Sequence, residues 1–187
     1  MRFERSNTYG PMAILLHWSV ALLFLIQIPL GFAMTMLDRK PALQFALFQW
    51  HKSLGFLTLA LASARLVWSL AHRAHAAPEG VTRLEWRAAR TVQFALLAAT
   101  LLIPLTGWAV ASSSPLRIPS YVFDLFVVPG LPIAVSDAAE TFWSSLHGWL
   151  AYGTALLILL HGGAALFHHL YRRDSVLRNM LPFLADR

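Results

Sequence analysis

The sequence predicts an all-α integral membrane protein, a bundle of four helices with both termini in the cytoplasm. Three observations carry this. Of 187 residues, 57% are hydrophobic and only 13% charged, against about 25% charged in an ordinary soluble domain. Mean hydropathy is positive, at +0.56. The 15 Lys and Arg and 9 Asp and Glu fall between long apolar runs, as in proteins whose loops carry the charge. A nucleic-acid binder would gather its basic residues on one patch instead. The chain has no cysteine, which excludes disulfides, thiolate metal sites, iron-sulfur clusters and catalytic thiols. Its eight histidines are then the strong metal ligands.

Runs of about 20 apolar residues are long enough to cross a hydrocarbon core of about 30 Å. The expected spans are residues 13–36, 45–70, 88–110 and 142–170. Unbroken apolar runs fit helices, since barrel strands would alternate. The first span follows Arg2 and Arg5 but is too long for a signal-peptide h-region and lacks a small-residue cleavage site, so it reads as retained. Neither an internal repeat nor a soluble second domain is evident, and residues 1–187 read as one transmembrane domain.

Orientation follows from the basic residues, which cytoplasmic loops keep. One side holds Arg2, Arg5, Arg65, Arg73, Arg83, Arg87, Arg90, Arg172, Arg173, Arg178 and Arg187. The other holds only Arg39, Lys40, Lys52 and Arg117. Trp50, Trp108 and Trp143 then fall at the outer interface, and Trp18, Trp68 and Trp86 at the inner one, where amphipathic rings partition. Pro29 with Gly31 and Pro104 with Gly107 sit late in spans one and three. They either kink helices or let backbones approach, or are ordinary membrane-helix usage. The connection 111–141, with Pro115, Pro119, Pro129 and Pro132 around the apolar stretch 121–131, is too long for a simple linker and is expected to form a partial lid on the outer interface.

Ionisable residues inside a span are costly and mark function by default. His17 lies early in span one, His51 early in span two, and His147 and His161 in span four. Fourteen residues separate His147 from His161, which is about 21 Å of rise with the rings within about 40° of one another. Because alternate spans run in opposite directions, His51 shares the outer depth of His147, and His17 the inner depth of His161. Two such pairs are what two stacked b-type haems require, each iron taking an imidazole from either side. A lone membrane histidine more simply makes an interhelical hydrogen bond. A histidine-based metal transporter would be expected to add Asp or Glu to the site, and the four spans contain none.

The remaining polar residues have a functional and a bland reading each. His72 and His75, in an Arg-rich inner loop, read as solvated. His168 shares the face of His161, but as a ligand it would separate the irons by about 31 Å. It is left to bond a quinone carbonyl or a haem propionate, or to be a plain interface histidine like His169. Arg65 either pairs with propionates of an inner haem or snorkels to the headgroups. Lys52, with Arg39, Lys40 and Arg117, makes the outer mouth attractive to an anion, partly offset by Asp38, Asp124, Asp137 and Glu140.

The segments Leu15-Leu16-His17-Trp18, Phe48-Gln49-Trp50-His51-Lys52-Ser53-Leu54-Gly55 and Ser145-Leu146-His147-Gly148 resemble the prokaryotic cytochrome b561 family. So do His161, the stretch His168-His169-Leu170-Tyr171, and the run from Asp174 to Pro182. The resemblance covers almost the whole chain. It implies a multi-pass protein of the bacterial inner membrane with two haems b, His17 and His161 on the inner one and His51 and His147 on the outer. Among family members, the chain is most similar to the short stand-alone ones that oxidise superoxide at the periplasmic face and pass electrons to ubiquinone. That implies superoxide and a membrane quinone as partners, Lys52 as a guide for superoxide and His168 as a quinone-site residue. The other reading is an electron-transfer subunit between quinol and a partner redox protein; such a partner is not required.

Overall fold

A computed structural model describes residues 9–36, 40–72 and 81–181; Arg2, Arg5, Asp38, Arg39, Arg73, His75, Pro182 and Arg187 lie outside them. Four long helices dominate: α1 (Pro11–Thr35), α2 (Pro41–Ala71), α3 (Arg83–Ser113) and α4 (Asp137–Phe167). Each is long and apolar enough to cross a membrane. The three of 31 residues are about 46 Å long, so they outreach the hydrocarbon layer and their ends enter the headgroup region.

That length explains where the helices depart from the expected spans. Hydropathy marks the part of a helix in lipid, whereas local chemistry sets its ends. Pro11 and Pro41 open α1 and α2 at the first turn, where the missing N–H is no loss. Thr82 and Glu85 form a reciprocal capping box at the start of α3, five residues before the apolar run. The Ser136 hydroxyl accepts from the Ala139 N–H and starts α4 at Asp137, again five residues early. At its other end α4 stops sooner than expected. A π-helical turn, His168–Arg172, takes over, and Arg173 in the left-handed region (φ 54°) ends it. Residues 174–181 then run back to α1, where the Trp18 indole donates to the Met180 carbonyl (2.9 Å).

The connection after α3 is not only a lid of turns. It contains an antiparallel hairpin of β1 (Ser120–Val122) and β2 (Phe126–Val128), paired Ser120 with Val128 and Val122 with Phe126. Phe123 and Asp124 both have positive φ (50° and 58°), and Leu125 N–H donates to Val122 O, the geometry of a type I′ turn. No glycine marks this turn, so its sequence does not announce a hairpin. Tertiary contacts hold it instead. Buried Ser53 donates to Tyr121 O (3.0 Å) and accepts from Phe123 N–H (3.0 Å). Trp108 donates to Pro129 O (3.0 Å), and Ser112 accepts from Leu131 N–H (2.9 Å). The hairpin therefore sits against the ends of α2 and α3, and this end of the bundle is called the hairpin end below; the other is the terminal end.

Backbones pack closely in the order α1 on α2, α2 on α3 and α3 on α4. Helix α4 does not pack closely on α1 or α2, and side chains bridge that gap. The core is small: Val20, Phe24, Ala99 and Ile103 are buried, with Ile28, Leu61, Leu150 and Ile158 against them. Buried hydroxyls bond back to their own helices, Thr58 to Leu54 O and Thr100 to Leu97 O (both 2.7 Å), as groups without water must. Large apolar side chains cover the outside, with Leu159 at 73% and Phe94 at 74% exposure. Such a surface is stable in lipid and not in water.

Candidate functional site

Helix α4 is α-helical from Asp137 to Phe167, so the 14 residues from His147 to His161 set the two imidazoles about 21 Å apart along one face. Each meets a ring from across the gap. The centres of His51 and His147 are 6.1 Å apart with planes at 88°, and those of His17 and His161 are 6.3 Å apart at 64°. An imidazole nitrogen sits about 2.0–2.1 Å from a metal it ligates and roughly 1.1 Å from its ring centre, so two imidazoles sharing a metal from opposite sides have centres about 6.2–6.4 Å apart. Both pairs are compatible with that spacing, which also lies within the range of ordinary edge-to-face rings. Among the described residues, no three of His, Asp and Glu converge as a metal site. The set is two pairs at two levels.

Around the hairpin-end pair lies a cavity of about 260 Å3 lined from all four helices. Its construction explains the Pro and Gly residues of α1 and α3. Both prolines fall inside their helices, where each removes the ladder hydrogen bond to the carbonyl four residues before it and loosens that turn. A glycine follows each, and an imidazole lies over it. A Cβ at Gly107 would come within 3.0 Å of His147 Cε1, and one at Gly31 within 3.4 Å of His51 Cε1. The His147 ring is aimed as well as seated. Its Nδ1 lies 3.0 Å from Ile103 O and 3.1 Å from Thr106 Oγ. A carbonyl only accepts, so Nδ1 carries the proton and Nε2 is left with its lone pair for a metal.

His51 Nδ1 and Gln27 Oε1 are buried without a hydrogen-bond partner among the described residues, and both residues line this cavity. Gln27 Nε2 donates to the His51 carbonyl (3.0 Å), which ties α1 to α2 at this level. Gln27, Thr106 and the Ile103 carbonyl went unassigned from sequence. A lone Gln in an apolar span was a signal for the first. A backbone carbonyl turned to a ring on another helix leaves no mark in sequence.

Lys52 lines the same cavity, and its Nζ donates to Pro119 O (2.9 Å), joining the helix to the lid. Arg117, Asp124 and Asp137 are exposed on the hairpin end. At the terminal end, Arg65 turns inward: its Nη2 lies 3.2 Å from His17 Nδ1 in a half-buried contact. The structure thus brings Arg65 to the His17–His161 pair. It does not bring His168 there. That residue opens the π-helical turn, and its Nδ1 hydrogen-bonds Asp174, whose other oxygen accepts from Val176 N–H (3.0 Å). His72 is exposed and stacked on Trp68, and His169 is half-buried.

Residues 8–183 match the family model described as prokaryotic cytochrome b561. Cytochrome b561 homolog 2 of Escherichia coli (strain K12) is 30% identical over 180 residues, which cover 92% of this chain and 90% of that protein.

Proposed function

The chain belongs to the prokaryotic cytochrome b561 family, multi-pass bacterial inner-membrane proteins that transfer electrons with b-type haem, and from that premise we propose that it is a superoxide:ubiquinone oxidoreductase. The observation that carries the reading is the pair of histidine couples, spaced for a metal and offset by 14 residues on α4. In this reading His51 and His147 hold one haem b and His17 and His161 a second. Bound there, the haems supply one-electron redox chemistry across the bilayer, at potentials set by ligands, burial and nearby charge.

The chain's own residues do the rest. With both termini in the cytoplasm, as the basic loops indicate, the hairpin end faces the periplasm. Lys52 then gives the cavity mouth a fixed positive charge that draws in a small anion. Each superoxide loses one electron and leaves as dioxygen. Two such electrons, with two protons taken up, convert one ubiquinone to ubiquinol. No nucleophile or general base is required at the superoxide step, which is outer-sphere. His168, near the terminal end with its Nδ1–H donated to Asp174, leaves Nε2 as an acceptor for the hydroxyl of the quinol formed.

Haem stoichiometry and superoxide pulses test this. Two haems per chain are expected, with His51→Ala and His147→Ala losing the same one, His17→Ala and His161→Ala the other, and His168→Ala retaining both. Pulsed superoxide should reduce the loaded protein rapidly. Reduction by quinol or a redox partner without reduction by superoxide would instead identify an electron-transfer subunit.

A further inference from the structure

The two rings of the hairpin-end pair are seated alike but held differently. His147 lies over Gly107 of α3, its Cε1 and Nδ1 at 3.0 and 3.4 Å from where a Cβ would stand. His51 lies over Gly31 of α1, with the same two atoms at 3.4 and 4.0 Å. The residue four before each glycine shares its helix face. On α3 that residue is Ile103, whose carbonyl accepts from His147 Nδ1 (3.0 Å). On α1 it is Gln27, whose Nε2 donates to the His51 carbonyl (3.0 Å). There the likeness stops, because His51 Nδ1 and Gln27 Oε1 are both buried without a partner among the described residues. Both residues line one cavity.

We propose that Gln27 is the positioning residue of His51: its Oε1 accepts the Nδ1–H of that ring through one bridging water, as Ile103 O accepts that of His147 directly. This rests on the reading that His51 and His147 hold a haem. A neutral imidazole has one N–H, so a ring that ligates through Nε2 carries its proton on Nδ1. That leaves a buried donor and a buried acceptor open in the same cavity, each costly by itself, and one water satisfies both. The amide cannot turn round to avoid this. Its partner at the other end is a carbonyl, which only accepts, so nitrogen is fixed on His51 O and oxygen is the end left for the ring. Gln27 thus grips one residue twice, by its main chain and by its side chain. An acceptor on Nδ1–H fixes the tautomer and the ring plane and makes the ligating nitrogen more basic. A more basic ligand favours the oxidised metal and lowers the midpoint of the site.

Haem retention against a scavenging protein, with spectroelectrochemical titration of the full haem-loaded chain, tests this without turnover. The component to follow is the one absent from His51→Ala. Gln27→Leu is expected to bind that haem about 10- to 100-fold more weakly and to raise its midpoint, with the other component unmoved. Gln27→Glu keeps an oxygen acceptor and is expected to restore retention, with a midpoint at or below that of the unmodified chain. The proposal is overturned if Gln27→Leu leaves that midpoint unchanged, lowers it, or moves both components together. It is equally overturned if Gln27→Glu raises the midpoint as Gln27→Leu does, the result expected of an amide that only ties α1 to α2. Should Gln27→Leu fail to load, Gln27→Glu decides alone: a midpoint above that of the unmodified chain overturns the proposal, and one at or below it bears it out. If His51→Ala removes no haem, the haem reading of this pair fails itself, and stoichiometry shows it before any potential is measured.

Discussion

Gly107→Ala is the sharpest structural test, because one methyl group is placed against one imidazole. The new Cβ would lie 3.0 Å from His147 Cε1, 3.4 Å from Nδ1 and 3.7 Å from Nε2. Carbon atoms in contact prefer about 3.5–4.0 Å, so the ring has to retreat from α3 by roughly 0.5–1 Å. That movement stretches the 3.0 Å contact with Ile103 O past the useful range of a hydrogen bond. Overpacking costs about 1–3 kcal/mol and the lost hydrogen bond about 0.5–1.5 kcal/mol. The gain in helix propensity on replacing glycine returns about 1 kcal/mol. About 0.5–3.5 kcal/mol remains against the seated ring, or a haem affinity about 2- to 400-fold weaker at this site. The assay is haem retention per chain after dilution into a haem-scavenging protein, followed by the reduced spectrum. Gly153→Ala is the control, since a Cβ there meets nothing within 4 Å. Equal retention of both haems in Gly107→Ala and Gly153→Ala would refute the idea that bare backbone seats His147.

Two further predictions concern the hairpin end. Ser53→Ala leaves Phe123 N–H and Tyr121 O without the hydroxyl that joins them to α2, a local cost of about 1–3 kcal/mol. Faster proteolysis or amide exchange confined to residues 119–128 is expected, and unchanged protection would show that the hydroxyl does not hold the lid. Lys52→Gln removes the charge beside His51 and is expected to slow superoxide-driven haem reduction by about two- to ten-fold at low ionic strength, the difference vanishing in high salt. Equal rates at every ionic strength would remove Lys52 from any guiding role.

The membrane helices were legible in the sequence because the bilayer imposes a length and an apolar composition that run along the chain itself. Histidine depth was legible for the same reason: rise per residue is fixed, so His147 and His161 take their levels on α4 from spacing alone. The hairpin was not legible, since Phe123 and Asp124 adopt positive φ under contacts with Ser53 rather than through a glycine. The π-helical turn at His168 was hidden too, because Trp18, which receives the segment returning from it, is distant in sequence.

By itself the sequence determined four crossings, an apolar exterior and a histidine set without competing thiolates or intramembrane carboxylates. Only the tertiary structure decided how each ring is held: His147 between the Gly107 backbone and the Ile103 carbonyl, His51 over Gly31, and His17 against Arg65. The physical reason is that composition and periodicity act along one helix. The direction of an imidazole nitrogen, and the charge it faces, depend on which helices meet there and how close their backbones come.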